Sequence, residues 1–133
     1  MSNRTSGSTG KAYAAAILDD IFFASKIKEA AGASGVDVEF IKGAAAVHDF
    51  NPPATPSIII VDLANKIIDP LELIRVIRAR DDLGKTRVIG YLPHVEKGLA
   101  ARAIDAGYDT VLPRSRLSRE LVDILSGITK AQD

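Results

Sequence analysis

The sequence predicts an α/β protein: a doubly wound, five-stranded parallel sheet of strand order 2-1-3-4-5 with helices on both faces. Two observations predict this fold class. Short apolar runs of strand length alternate along the chain with longer segments in which apolar side chains recur at helical spacing. The 133 residues are also enough for one hydrophobic core, and strands joined through helices pair in parallel by right-handed crossovers.

The strands are predicted from apolar runs and from alternating patterns. Residues 36–41 alternate apolar with acidic side chains, which is typical of an edge strand with one wetter face. Residues 58–61 are consecutive β-branched side chains, which favours a central strand covered on both faces. The five predicted strands are residues 12–18, 36–41, 57–61, 87–92 and 110–112.

The helices of the first half are predicted from helical spacing and from glycines. An apolar stripe that begins at Phe23 marks the first helix, with lysine and glutamate on its opposite face. Gly32 and Gly35 are predicted to end it. The second helix, over residues 43–50, is weak and rich in alanine, and it carries His48 at the surface.

The helices of the second half give stronger signals. Pro70 suits the first turn of a helix, because the N–H it lacks would have no intrahelical partner there. The side chains of Leu99, Ala103 and Ile104 form the apolar stripe of the next helix. Ser118 is predicted as the N-cap of the last helix.

We expect a single domain over residues 12–129. Residues 1–11 are almost all small or polar, so ordering them would cost backbone entropy without compensating burial, and we expect a flexible tail. Residues 130–133 are expected to form a short C-terminal tail. Residues 7–11 partly match a phosphate-binding loop, but the first glycine of that motif and a preceding strand are missing.

Charge and composition exclude several functional classes. The 17 basic and 17 acidic side chains give a formal net charge of zero, which argues against nucleic acid as a partner. The absence of cysteine excludes a disulfide framework and cysteine-ligated zinc. No apolar run approaches the roughly 18 residues of a membrane span, so we expect no membrane association and a cytoplasmic protein.

Carboxylates follow two of the predicted strands at the point where each strand ends. Asp19 and Asp20 come directly after the first strand, and Asp62 follows the third. Those strands are neighbours in the predicted order, so the three carboxylates are expected to converge and to repel one another unless a cation binds. An all-oxygen ligand set favours Mg²⁺. The alternative is that each aspartate only caps the helix that follows it.

The segments around these aspartates resemble a known family. The resemblance covers residues 12–128 and identifies the chain as similar to the receiver domains of bacterial response regulators, whose fold is flavodoxin-like. It rests on Ile17-Leu18-Asp19-Asp20, on Ile59-Ile60-Val61-Asp62-Leu63 with Asp69 downstream, on Val88-Ile89 and on Ala106-Gly107-Tyr108-Asp109.

The resemblance implies a metal site and a phosphoacceptor. The residues matching Asp19 and Asp20 hold Mg²⁺ in that family, and the main-chain carbonyl at Ala64 would complete the site. The residue matching Asp62 accepts a phosphoryl group from a histidine kinase. A carboxylate nucleophile beside a metal that offsets phosphoryl charge suits this chemistry.

The chain departs from the family at three positions. Leu92 stands where the family has a threonine or serine, whose hydroxyl bonds the phosphoryl group. Arg114 replaces the lysine that pairs with the phosphoacceptor. The positive charge is kept, but a planar guanidinium takes the place of a compact ammonium group. Val111 replaces an aromatic switch residue. The acidic pocket is thus retained while the relay beyond it is altered.

Other residues carry weaker expectations. His94, in the loop after the fourth strand, could bond an anion or simply face solvent. Arg114 and Arg116 could bind phosphate near the last helix, or Arg114 could pair with one of the three aspartates. Leu99, Val111 and Leu117 could contribute to a homodimer or partner surface formed by the fourth helix, the fifth strand and the last helix.

We therefore expect a signalling domain rather than an enzyme. The first hypothesis is a stand-alone receiver of a two-component phosphorelay with Asp62 as phosphoacceptor, partnered by a histidine kinase or a downstream signalling protein. The alternative is a pseudo-receiver, an interaction module that works without phosphorylation. Haloacid-dehalogenase-like phosphatases need a second acid two residues after the nucleophile, where this chain has Ile21 or Ala64. The turn after the first strand is acidic and apolar, so it would repel the phosphate of a flavin. The sequence also lacks the Asp-x-His-x-x-Gly motif that binds a corrin.

Overall fold

The structure is a computed structural model, and it describes residues 12–42, 49, 51, 55–66, 68–94 and 96–132, the side chains of 129–132 excepted. The strands are β1 (Ala12–Ile17), β2 (Val36–Ile41), β3 (Ile58–Asp62), β4 (Arg87–Leu92) and β5 (Thr110–Pro113). The helices are α1 (Ile21–Ser34), α2 (Pro70–Ala79), α3 (Lys97–Ala106) and α4 (Arg114–Gln132). The tail predicted over 1–11 and most of the helix predicted over 43–50, with His48, lie outside the described residues.

The five strands form one parallel sheet in the order β2-β1-β3-β4-β5. This is the predicted order 2-1-3-4-5, with β3 in the centre and β2 at an edge, as their sequence patterns indicated. Ile17 is paired with Val61, and Asp62 with Tyr91. The carboxyl ends of the three central strands therefore lie side by side.

The two faces of the sheet carry separate hydrophobic clusters. Alternate residues of β3, such as Ile58 and Ile60, pack with side chains of α1 and α4. The intervening residues, such as Ile59 and Val61, pack with side chains of α2 and α3. These four side chains are each 1% exposed, and burying one of them contributes about 1.5–3 kcal/mol. The continuous apolar run of β3 thus reflects helices on both sides of it.

The helix ends follow local rules with two exceptions. Pro70 opens α2, and the Asp69 carboxylate caps it by accepting hydrogen bonds from the backbone N–H groups of residues 71 and 72. α1 ends at Gly35, which has φ of 71°, a conformation that costs glycine little. Gly32 lies inside α1, so its predicted role as a stop is wrong; its Cβ position meets open space. α4 begins at Arg114 rather than at Ser118.

Burial and helix propensity explain how α4 exceeds its predicted limits at both ends. Leu117 is fully buried and fixes an extra first turn against the core. The helix also continues to Gln132, across residues predicted as a tail, since residues 130–132 are good helix formers. In α3, Ala103 is buried as predicted, whereas Ile104 is 45% exposed. Within the described residues, none of the helices has the length and apolar character that a membrane-spanning segment requires.

One arginine joins the elements at the amino end of the sheet. Arg78 of α2 donates from Nη1 to the carbonyls of Gly84 and Thr86, at 3.1 and 2.6 Å. Its Nε and Nη2 donate to the Gly107 carbonyl, and Nη2 also pairs with Asp109 at 2.9 Å. The planar fork of arginine satisfies several acceptors at once, which a single ammonium group cannot do. This network holds the loops that enter β4 and β5 against α2.

We expect Arg78→Ala to lower the free energy of unfolding by about 2–4 kcal/mol, because carbonyls and a carboxylate lose a charged donor. Urea unfolding measures this loss. Arg78→Lys should recover only part of it. The matched control is Arg75→Ala on the same helix; its side chain is 67% exposed and pairs with the exposed Glu72, so we expect a change below about 0.5 kcal/mol. Equal losses for Arg75→Ala and Arg78→Ala would contradict the assigned role.

Candidate functional site

The predicted site residues lie together at the carboxyl edge of the sheet. Asp62 is the last residue of the central strand β3. Asp19 and Asp20 occupy the short link between β1 and α1. Arg114 is the first residue of α4, directly after β5. In an open parallel sheet, ligands bind at this edge, where neighbouring crossovers leave a crevice.

Asp62 is a buried carboxylate that is only partly compensated. It is 9% exposed, and its Oδ1 accepts a hydrogen bond of 2.8 Å from the Ala64 backbone N–H. Burial raises the pKa of Asp62, and the charges of Asp19 and Asp20 raise it further. The Ala64 N–H and the positive charge of Arg114 act in the opposite direction. The carboxylates of the two strand ends therefore influence one another electrostatically, as the sequence predicted.

Asp20 combines the two roles that the sequence left open. Its Oδ1 accepts hydrogen bonds from the backbone N–H groups of Phe22 and Phe23, at 3.0 and 3.2 Å, so it caps α1. Its Oδ2 lies 3.4 Å from Nη1 of Arg114. Asp20 therefore caps α1 but does not only cap it, and Asp62 caps no helix, because it precedes a turn.

Arg114 forms its ion pair with Asp20 rather than with Asp62. The predicted alternative of a salt bridge to one of the three aspartates is thus confirmed, with Asp20 as the partner. The arginine still lowers the pKa of Asp62 through its charge. It therefore acts as an internal cation among the three carboxylates.

These residues have the ligand atoms that a divalent cation prefers, but their side chains are not arranged around a common point. The donors are oxygens, which suits Mg²⁺. In the described part of the chain, however, no three Asp, Glu, His or Cys side chains are arranged as a group that could hold a metal. Both carboxylate oxygens of Asp20 are engaged, by α1 and by Arg114. A metal at this site would have to compete with Arg114 for Asp20.

The residues that depart from the family pattern lie in different surroundings. Leu92 is 1% exposed and belongs to the core cluster under α2 and α3, on the sheet face opposite to that of Asp62. Val111 is partly buried against the same cluster, and His94 is exposed. Leu117 is 0% exposed, so its predicted place on a partner surface is wrong: its side chain packs inward under α1.

Sequence reasoning missed Tyr91. This residue is paired with Asp62 in the sheet, is 1% exposed and packs its ring against Phe23 with a centroid distance of 4.7 Å. A side chain with a polar hydroxyl within the apolar and glycine run of residues 88–92 was the signal that could have identified it.

A cleft of about 610 Å³ opens beside Asp20, between α1 and the start of α4. Phe22, Pro93 and the cationic side chains of Lys26 and Arg119 are among its lining residues. Phe22 is 80% exposed, and its neighbour Ile21 is 65% exposed. The acidic site thus adjoins a surface that offers both apolar contacts and positive charge.

We expect Asp62→Asn to stabilise the protein at neutral pH. The raised pKa means that the folded state binds the Asp62 proton more tightly, so native stability falls as pH rises above the ordinary value of 3.8. Asparagine does not titrate, so the gain in stability of Asp62→Asn over the native protein should disappear below pH 3.8. Thermal unfolding from pH 3 to 8 measures it.

Asp82→Asn is the control with opposite sign. The Arg80 partner lowers the pKa of the exposed Asp82, so this substitution should cost a little stability at neutral pH and nothing in acid. A neutral-pH loss for Asp62→Asn would contradict the assigned environment.

The comparisons with known proteins agree on the fold. No protein-family model matches the chain, and no curated protein matches it. Solved structures do. The phosphorylated cyanobacterial phytochrome response regulator RcpA is 18% identical with a TM-score of 0.72, over 90% of this chain and 91% of that one. The chemotaxis response regulator CheY4 of Vibrio cholerae is 15% identical with a TM-score of 0.75, over 88% and 98%.

A third similar structure is the Mn²⁺-bound form of response regulator Rcp1, 19% identical with a TM-score of 0.66 over 88% of this chain and 91% of that one. All three share the parallel five-stranded architecture at low sequence identity. The resemblance inferred from the aspartate motifs is thereby confirmed at the level of fold. The chain has the flavodoxin-like receiver fold of the response regulators.

Proposed function

We propose that this protein is a receiver module of two-component signalling in which Asp62 accepts a phosphoryl group. The observation that carries the proposal is the position of Asp62: a buried carboxylate at the carboxyl end of the central strand, beside two further carboxylates and one arginine. Similarity to response regulators supports the signalling role, and with it we propose a cytoplasmic protein whose partner is a histidine kinase or a downstream signalling protein. It requires no catalytic turnover.

The proposed transfer uses the two oxygens of Asp62 differently. Oδ1 is held by the Ala64 N–H, so Oδ2 attacks phosphorus. An O–P bond forms while the N–P bond of a phosphohistidine breaks, and the leaving imidazole keeps the electron pair and takes up a proton. The carboxylate must be ionised to attack, so the raised pKa of Asp62 makes the transfer favour neutral over acidic pH.

Charge is the main obstacle to a phosphoryl group at this edge. A bound Mg²⁺, held by Asp19, Asp20, Asp62 and the Ala64 carbonyl, would offset the phosphoryl charge. The Arg114 guanidinium supplies part of this compensation from the chain itself, and release of its pair with Asp20 would free Oδ2 of Asp20. The exposed side chains of Ile21 and Phe22 would contact the partner that delivers the group.

Incubation with Mg²⁺ and acetyl phosphate, followed by intact mass measurement, tests the proposal. We expect one added phosphoryl group in the native protein and none in Asp62→Asn. Asp69→Asn is the matched control, because Asp69 also lies after β3 but caps α2, and it should be phosphorylated like the native chain. Absence of added mass in the native protein, or its persistence in Asp62→Asn, overturns the assignment.

A pseudo-receiver that works without phosphorylation is the second candidate. It is favoured by Leu92, which is buried on the opposite face of the sheet from Asp62 and has no polar group to offer. The Arg114–Asp20 pair also stabilises the site with no phosphoryl group bound.

Amide hydrogen exchange separates the two candidates. A receiver that switches should show altered exchange in α3, β5 and α4 when the phosphoryl mimic beryllium fluoride is added with Mg²⁺. A pseudo-receiver should show the same exchange with and without it. The Asp62→Asn variant, in which the mimic loses its carboxylate ligand, is the control.

A further inference from the structure

The Tyr91 hydroxyl is a buried polar group that the described chain leaves unsatisfied. The residue is 1% exposed, and of the buried side-chain nitrogen and oxygen atoms in the described residues, only this hydroxyl has no hydrogen-bond partner. An unpaired hydroxyl in the interior destabilises a fold, and phenylalanine would fill nearly the same space without that loss. The hydroxyl therefore indicates a partner that is not part of the described chain.

The surroundings of the hydroxyl point to the carboxyl edge of the sheet. Tyr91 is paired with Asp62, so both side chains project to the same face. The contact with Phe23, at 4.7 Å between ring centroids, restricts the ring. Burial raises the pKa of the Tyr91 hydroxyl, and Asp62 is the largest of the charged influences that follow. The hydroxyl is therefore protonated at neutral pH and can donate a hydrogen bond.

Three of the carboxylate oxygens at this edge already have other hydrogen-bond partners. Oδ1 of Asp62 accepts from the Ala64 N–H, and Asp20 accepts from α1 and from Arg114. An anion that arrives beside three carboxylates needs donors, and a neutral O–H stabilises its oxygens without disturbing the Arg114–Asp20 pair. Leu92 has no such group, and its side chain faces the opposite cluster.

We propose that Tyr91 is a ligand-binding residue whose hydroxyl donates a hydrogen bond to an oxygen of a phosphoryl group, or of a similar tetrahedral oxyanion, bound at Asp62. This inference rests on the proposed function and adds a specific contact to it. Tyr91 then supplies, from the adjacent position and the correct face, the hydroxyl that the sequence lacks at Leu92.

Binding of beryllium fluoride in the presence of Mg²⁺ tests the contact. Tyr91→Phe removes only the hydroxyl. The matched control is Tyr108→Phe. Tyr108 is also buried, but it belongs to the hydrophobic cluster on the other face of the sheet, and its hydroxyl donates a hydrogen bond of 2.8 Å to the Pro70 carbonyl. We expect the affinity for the mimic to fall about tenfold or more in Tyr91→Phe, and to stay native in Tyr108→Phe.

Two further measurements exclude a purely structural role. Without the mimic, Tyr91→Phe should be at least as thermostable as the native protein, whereas Tyr108→Phe should be less stable because it loses a satisfied hydrogen bond. The chain has three tyrosines and no tryptophan, so tyrosine absorbance reports on few groups. The native protein should give a difference spectrum when the mimic binds, and Tyr91→Phe should lose most of it.

The outcomes separate the inference from the proposed function. If the native protein binds the mimic and Tyr91→Phe binds it equally well, the Tyr91 contact is wrong while the phosphoacceptor assignment stands. If Tyr91→Phe is destabilised without the mimic as strongly as Tyr108→Phe, a permanent partner such as a buried water satisfies the hydroxyl, and the inference is again wrong. If the native protein neither binds the mimic nor takes up a phosphoryl group from acetyl phosphate, both assignments fail.

Discussion

A carboxylate that must remain at the end of a strand buried on both faces is the constraint on which this site depends. The buried side chains of Ile58 to Val61 hold β3 in the centre of the sheet, and Asp62, the last residue of that strand, is itself only 9% exposed. Its negative charge is costly there, and the carboxylates at the end of β1 increase that cost. The neighbouring groups are best understood by how each compensates this charge or adds to it.

Besides the Ala64 N–H, Arg114 supplies positive charge from the chain itself against these carboxylates. It lies at the start of α4 because the fully buried Leu117 fixes a first turn of that helix directly after β5. From there its guanidinium pairs with Asp20 and lowers the pKa of Asp62 at longer range. A lysine at this position would carry a more compact charge than the planar guanidinium of Arg114. The arginine therefore offsets part of the carboxylate charge without a metal, and through its pair with Asp20 it opposes a metal that needs Asp20.

The two ends of the sheet are stabilised differently. At the amino end, Arg78 satisfies three carbonyls and one carboxylate, so the loops there are linked into one hydrogen-bonded unit. At the carboxyl end, burial raises the pKa of Asp62, and the Tyr91 hydroxyl has no hydrogen-bond partner among the described residues. Unsatisfied polar groups in an otherwise consistent fold concentrate where a protein binds something. The contrast supports function at the carboxyl end and a structural role at the amino end.

The architecture could be predicted from the sequence, because hydrophobic periodicity reports directly on which faces of a helix or strand are covered. The consecutive β-branched run of β3, the alternation of β2 and the proline at the start of α2 were sufficient to predict the central strand, an edge strand and the start of a helix, and the doubly wound fold class supplied the strand order. The same logic placed Asp19, Asp20 and Asp62 at one edge, since parallel strands end together. Local patterns were less reliable at helix ends: Ser118 has the chemistry of a cap, but burial of Leu117 extended the helix past it.

The partner that each polar group takes could not be predicted from the sequence. Arg114 pairs with Asp20 rather than with Asp62. That pairing depends on the distance between residues 94 positions apart in the chain, which no local sequence pattern encodes. The pleat likewise placed Leu92 and Tyr91 on opposite faces, so that a residue of no evident importance in the sequence faces the site and its neighbour does not. Patterns of hydrophobicity indicate which segments are buried because burial depends on area and not on direction, whereas hydrogen bonds and ion pairs are directional and are set only once the strands have packed.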